Sequence, residues 1–168
     1  EGKWGVTELF YQYMHGNFLF EDYNPELDQD GAYQSVGLNQ FVFPTGLARF
    51  GSTSRWLQYL RFGGLVDTYD PTGTEFQFQG FELSFGFGLT LPWELTLTGE
   101  YRYVFQDYDN ASIFEPDVVQ EANIHVVSLE LVRPITEHLE VSIYGFYRDN
   151  SSNVATYDYD RAIAGTYL

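Results

Sequence analysis

Residues 93–105 read "WELTLTGEYRYVF", and their alternation decides the fold class. Trp93, Leu95, Leu97, Gly99, Tyr101, Tyr103 and Phe105 take every second position, with Glu94, Thr96, Thr98, Glu100, Arg102 and Val104 between them. A period of two sends alternate side chains to opposite faces of a β-strand, here one apolar and one polar. The same phase holds from 81 to 147. Odd positions supply Phe81, Leu83, Phe85, Phe87, Val127, Leu129, Leu131, Val141, Ile143 and Tyr147. Even positions supply Glu82, Ser84, Gly86, Gly88, Ser128, Glu130, Glu140 and Ser142, with Arg148 just beyond.

Working outward, eight strand segments follow: 4–20, 32–44, 55–70, 75–91, 93–109, 122–134, 138–149 and 157–168. Helical periodicity is absent. Pro44, Pro71, Pro92 and Pro134 fall at segment ends, where a ladder can spare the missing N–H. No linker or compositional break divides the chain, so 1–168 reads as a single all-β domain of antiparallel meander strands. The segments around 33–43 and 157–168 have no clear phase and receive no face.

The chain carries 24 acidic against 8 basic residues, a net charge of −16, which leaves no basic stripe for nucleic acid. There is no cysteine, hence neither a disulfide framework nor a thiolate metal site. No apolar run reaches the roughly 20 residues of a membrane-spanning helix, but a barrel strand needs only about 9–11 residues of alternation. The opening "EGKWG" has no methionine, as expected of a mature product or a fragment of a longer chain.

Loop lengths and aromatics have a polarity. Acidic, turn-rich connections follow the first, third, fifth and seventh segments, while tight turns at "LPW" and "RPITEH" follow the fourth and sixth. The connection "TGLARFGSTSR" is longer than that rule wants. Trp4, Trp56 and Trp93 stand at the short-turn end, and tyrosines including Tyr101, Tyr103 and Tyr147 gather toward the other. Two aromatic girdles and unequal loops are the pattern of an outer-membrane barrel.

Alternation alone also fits an inverted object, a soluble lipocalin-like carrier with its apolar face inside. The polar face decides between them. It uses Ser, Thr, Gly, Glu and Arg and no lysine, unlike a water-exposed face, and its small residues suit a crowded, charge-paired interior. The apolar face is too bulky for an eight-stranded interior. The expectation is therefore a transmembrane antiparallel meander β-barrel with eight strands visible, a complete small barrel or part of a larger one. Leu83, Phe85, Phe87, Leu95, Leu97, Leu129, Leu131, Val141 and Ile143 would face lipid. Glu82, Glu94, Glu100, Arg102, Glu130, Glu140 and Arg148 would face the lumen, and Trp4, Trp56, Trp93, Tyr101, Tyr103 and Tyr147 would mark the interfaces.

The C-terminal third, from "RPITEHLEVSIYGFY" through "RDNSSNVATYDYDRAIAGTYL", resembles the closing strands of Gram-negative outer-membrane barrels linked to periplasmic tetratricopeptide repeats. Surface-lipoprotein assembly modifiers and related secretion barrels form that group. The features carried are Arg133–Pro134, "YRDNSSN" at 147–153 and "YDYDR" at 157–161, and the stretch from "GLVDTYDPTGTEF" to "FQDYDNAS" is similar to their preceding strands. The resemblance implies a bacterial outer-membrane location, envelope transport or surface assembly, and periplasmic or envelope protein partners.

The residues themselves offer little catalysis. The lumenal carboxylates could act as acid and base, but a salt-bridged plug explains them more simply, and in a larger barrel they would set cation preference. His15, His125 and His138 form no ligand-spaced pair, and no Ser-His-acid motif can be located. "DQDG" at 28–31 has only the start of a calcium loop, and "GFG" at 86–88 lies inside a strand, so it is no phosphate loop. Loop acids (Glu21, Asp22, Asp28, Asp30, Asp107, Asp109, Asp158, Asp160) would hold divalent cations loosely at a lipopolysaccharide surface. The expected protein is non-enzymatic, needs no cofactor and has outer-membrane lipid and lipopolysaccharide as surroundings. A closed barrel acting as anchor, adhesin or scaffold without a pore is the alternative.

Overall fold

The computed structural model describes residues 4–17, 24–43 and 56–168. Alternating, β-branched and aromatic-rich segments give eight strands: β1 (Gly5–Gly16), β2 (Gly31–Val42), β3 (Leu57–Pro71), β4 (Phe78–Thr90), β5 (Thr96–Ala111), β6 (Val119–Thr136), β7 (Leu139–Ser152) and β8 (Tyr159–Tyr167). They form one antiparallel meander sheet in the order β1 to β8, and among the described residues β1 and β8 share no ladder. The only helical elements described are short 3₁₀ turns.

The sheet curls strongly. Residues of β2 and β8 line one cavity of 810 Å³. Strands six apart in the sheet line one cavity only when the sheet bends toward that side, so the side that carries Phe41, Arg61 and Tyr144 is concave and the other convex.

Two strand ends differ from the sequence reading. Trp93 and Glu94 belong to the β4–β5 turn rather than to β5, with φ of 64° and 62°. The Leu91 N–H closes on the Leu95 carbonyl at 2.7 Å, and Pro92 has no N–H to give a ladder. Pro134 lies inside β6, not at its end, next to a register irregularity and beyond the last β5 partner, Val132. There its missing donor breaks no β5 ladder. Pro44 lies outside the described residues.

Both ends of the sheet match the expected loop polarity where they are described. Turns at 91–95 and 137–138 sit at one end, with Trp4, Trp56 and Trp93. Connections containing Pro25–Leu27, Thr74–Phe76, 112–118 and Ala155–Tyr157 sit at the other. These loops interlock: the Gly73 N–H donates to the Asp28 carbonyl at 2.8 Å and the Ala155 N–H to Glu115 Oε1 at 3.0 Å. The 28–31 stretch is part of this turn structure, with the Asp30 N–H held by Asp28 Oδ1 at 2.9 Å.

Candidate functional site

Register places the charged groups on the concave face. Arg61 on β3, Gly86 on β4 and Glu100 on β5 share one row of the sheet. Because Gly86 has no side chain, the Arg61 guanidinium crosses β4 and meets Glu100 at 2.5 Å. Arg102 lies 3.6 Å from Glu82 and 3.7 Å from Glu100, so two arginines and two carboxylates form one cluster. A charge-paired cluster lowers the cost of holding these groups away from bulk water. Nearby, buried Asp67 accepts from the Tyr33 hydroxyl at 3.1 Å. A Cβ on Gly88 would strike the ring of Tyr59, and one on Gly165 the ring of Tyr144, so glycines on this face make room for aromatic fill.

The interior has two halves. Toward the long loops, Ala122, Ile124 and Val126 are buried with Val104, Tyr108 and Phe146 packed against them. Above that cluster sits Glu75, 3% exposed, from the β3–β4 connection. Its carboxylate accepts from the Ser112 hydroxyl at 2.8 Å, the Ile113 N–H at 2.7 Å and the Tyr157 hydroxyl at 2.8 Å. One side chain thus ties three hairpin connections into a cap, with Val154 fully buried in it. Burial, then the hydrogen bond to Glu75 and its negative charge, push the Tyr157 hydroxyl above the ordinary tyrosine range. Toward the short turns lies the 810 Å³ cavity, lined by Phe41, Tyr59, Tyr144, Phe146, Arg61 and Arg161 among others.

The lumenal residues expected from sequence divide into three groups. Glu82, Glu100 and Arg102 come together. Glu130 takes a hydrogen bond from the Tyr167 hydroxyl, and Arg148, higher on the same face, has its guanidinium carbon 5.7 Å from the centre of the Tyr159 ring. Glu94 and Glu140 stand exposed at the short-turn end, Glu94 in the turn itself. Sequence reading missed Arg61, Asp67 and Glu75. The phase of β3 runs opposite to that of β4, with Phe62 and Val66 outward, and following that inversion would have found Arg61 and Asp67.

The convex face carries the apolar residues. Leu83 is 55% exposed, Ile143 54% and Leu129 47%, with Phe85 also exposed. Phe87, Leu97, Leu131 and Val141 are half-buried in the same alternation, and Leu95 belongs to the turn. β1 and β2 add Leu9, Tyr11, Tyr13, Val36 and Leu38, which gives β2 the face its sequence left open. The opposite fate falls to Phe41, which turns inward against Tyr59 at a ring separation of 5.9 Å. On the outer face the Tyr101 hydroxyl lies 2.8 Å from His125 Nδ1, and the Tyr103 hydroxyl donates to Asn123 Oδ1 at 2.6 Å.

Among the described residues no group of three or more His, Asp or Glu is arranged to hold a metal ion. Glu21 and Asp22 lie outside those residues. Compared with family models, with curated proteins and with solved structures, the chain matches none.

Proposed function

We propose that the chain is an integral outer-membrane β-barrel that serves envelope transport or surface assembly without catalysing a reaction. The observation that carries this reading is the inverted burial: large apolar side chains are exposed on the convex face while Glu75, Asp67, Ser35 and Ser142 are buried. In water that arrangement forfeits the hydrophobic gain of folding; in lipid it is the favoured one.

The outer tyrosines support it quantitatively. Followed through its partners, the row of Tyr103 reaches β1 at Leu9, four residues below Tyr13 and four strands away. The row of Tyr147 reaches β1 at Thr7, six residues below Tyr13 and six strands away. The tyrosines thus lie on a line falling one residue per strand, as a level girdle does on tilted strands. From Thr96, where β5 begins beyond the Trp93 turn, to Tyr103 is seven residues; at about 3.3 Å each and a tilt of about 40° they rise about 18 Å, within the about 25 Å of an outer-membrane apolar band.

Carried round eight strands, the same slope returns displaced by eight residues, a stagger that suits closure of an eight-stranded barrel. It would set Tyr13 of β1 beside Ala164 of β8 and Tyr11 beside Thr166, large rings over small residues. The packed upper lumen favours an anchoring or assembly barrel over an open conduit.

The test is folding in detergent and lipid. The protein is expected to need detergent, to migrate differently before and after heating, and to give no stepwise conductance in planar bilayers. A chain that stays soluble in water without detergent and shows no heat-dependent migration overturns the reading.

A further inference from the structure

The concave face carries one pair of like charges that stands outside its ion-paired cluster. Of the arginines described on this face, Arg61 and Arg102 are ion-paired with Glu100 and Glu82, although Arg61 Nε is buried without a hydrogen-bond partner. Arg148 and Arg161 are direct cross-strand partners. Among the described residues neither has a carboxylate within ion-pair distance, and Arg148 Nε is buried without a hydrogen-bond partner. Like charges placed directly opposite on one face repel. Among the described residues they are the one place on the concave face where two arginines stand directly opposite each other without an ion pair, Arg161 exposed and Arg148 half-buried.

Arg161 lines the 810 Å³ cavity, and below it the wall is aromatic and apolar: Phe41, Tyr59, Tyr144, Phe146 and Ile163. Of the carboxylates that share the wall, Glu100 is paired with Arg61, and Glu130 accepts from the Tyr167 hydroxyl and keeps its charge. Phe146 belongs both to this wall and to the packing around the buried Ala122–Ile124–Val126 cluster. The cavity's volume falls within the range of small-molecule sites, which combine an apolar lining with a few fixed polar groups. Closing β8 onto β1 in the proposed register would bring Phe10, Gln12 and Met14 to the open side and no acid of the described residues to Arg161.

We propose that this cavity binds an anionic amphiphile, its phosphate or carboxylate head held by Arg161 with Arg148 behind it, and its hydrocarbon chain against the aromatic wall. A planar guanidinium matches either head group in a two-pronged contact. The anion also relieves the repulsion between the two arginines, which no described side chain does. This site depends on the concave face alone and holds whether lipid or water meets the convex one.

The probe is dodecyl phosphate, titrated into the folded full chain in a non-ionic detergent, with stoichiometry read by native mass spectrometry and the head group by phosphorus NMR. One equivalent is expected to bind. Arg161→Gln should weaken it about tenfold or more, as loss of a charge-assisted contact does, while Arg133→Gln, outside the cavity, leaves it unchanged. Thr98→Phe supplies a second variant: Thr98 lines the cavity outside the Arg61–Glu100 pair, so the larger side chain fills the space and should also abolish binding. Laurate should compete with dodecyl phosphate, whereas inorganic phosphate at the same concentration should not. Equal binding of inorganic phosphate, no binding of dodecyl phosphate, or unchanged binding by both variants with heat-dependent migration intact overturns the proposal.

Discussion

Leu129→Arg separates the two solvents that could meet the convex face. Leu129 sits in a row with Gly99 and Gly145, so no neighbouring side chain in that row shields it, and it is 47% exposed. That row crosses β5 at Gly99, one residue from the midpoint between Trp93 and Tyr103. The substituted arginine would therefore stand close to the bilayer midplane, where it costs about 2–4 kcal/mol. At about 1.4 kcal/mol per factor of ten, this is about a 30- to 700-fold loss in the folding equilibrium. In water the same surface exchange would change stability by no more than about 0.5 kcal/mol. Ser128→Arg is the control, because Ser128 faces the cavity, where an arginine has volume to occupy. Urea titrations of folding into short-chain phosphatidylcholine vesicles, read by the gel shift of unheated samples, give both values. If Leu129→Arg lies within about 0.5 kcal/mol of the parent, or Ser128→Arg is equally damaging, the assignment of faces is wrong.

Two further outcomes follow from the geometry. Glu75→Ala removes the acceptor shared by Ser112, Ile113 and Tyr157 and should destabilise the loop cap by about 2–4 kcal/mol; amide exchange should accelerate at 112–118 and 153–158 and not at the turn 91–95, and a uniform response would remove the clamp from the account. Tyr13→Cys with Ala164→Cys, in a chain that has no other cysteine, should form an intramolecular disulfide in the membrane-folded protein. A disulfide between two chains, or none, would refute closure of β8 onto β1.

The alternation in 81–147 marked four strands with two faces of opposite polarity, because strand side chains obey a period of two whatever the sheet does next; apolar segments between turn residues along the rest of the chain marked the other four and the antiparallel meander. It also located the tryptophan end, since Trp4, Trp56 and Trp93 each fall beside a boundary between segments. It misjudged Trp93 and Glu94, whose left-handed turn conformation has no signature in a residue pattern that continues the strand phase. β2 was unreadable because both of its faces carry large apolar residues. Which of them belongs inside depends on Tyr59, a strand away, against which Phe41 packs.

The candidate site was half legible. Glu82, Glu100 and Arg102 announced themselves as charges on the polar phase of β4 and β5. Arg61 reaches them only through the gap left by Gly86, and Glu75 finds its partners 37, 38 and 82 residues away in sequence. The sequence by itself determined the strands and the chemistry of each face, which are local properties of a pleated chain. Only the curl of the sheet decided which charges meet, where the interior is filled and where it is left hollow, because those depend on distances across strands that periodicity does not contain.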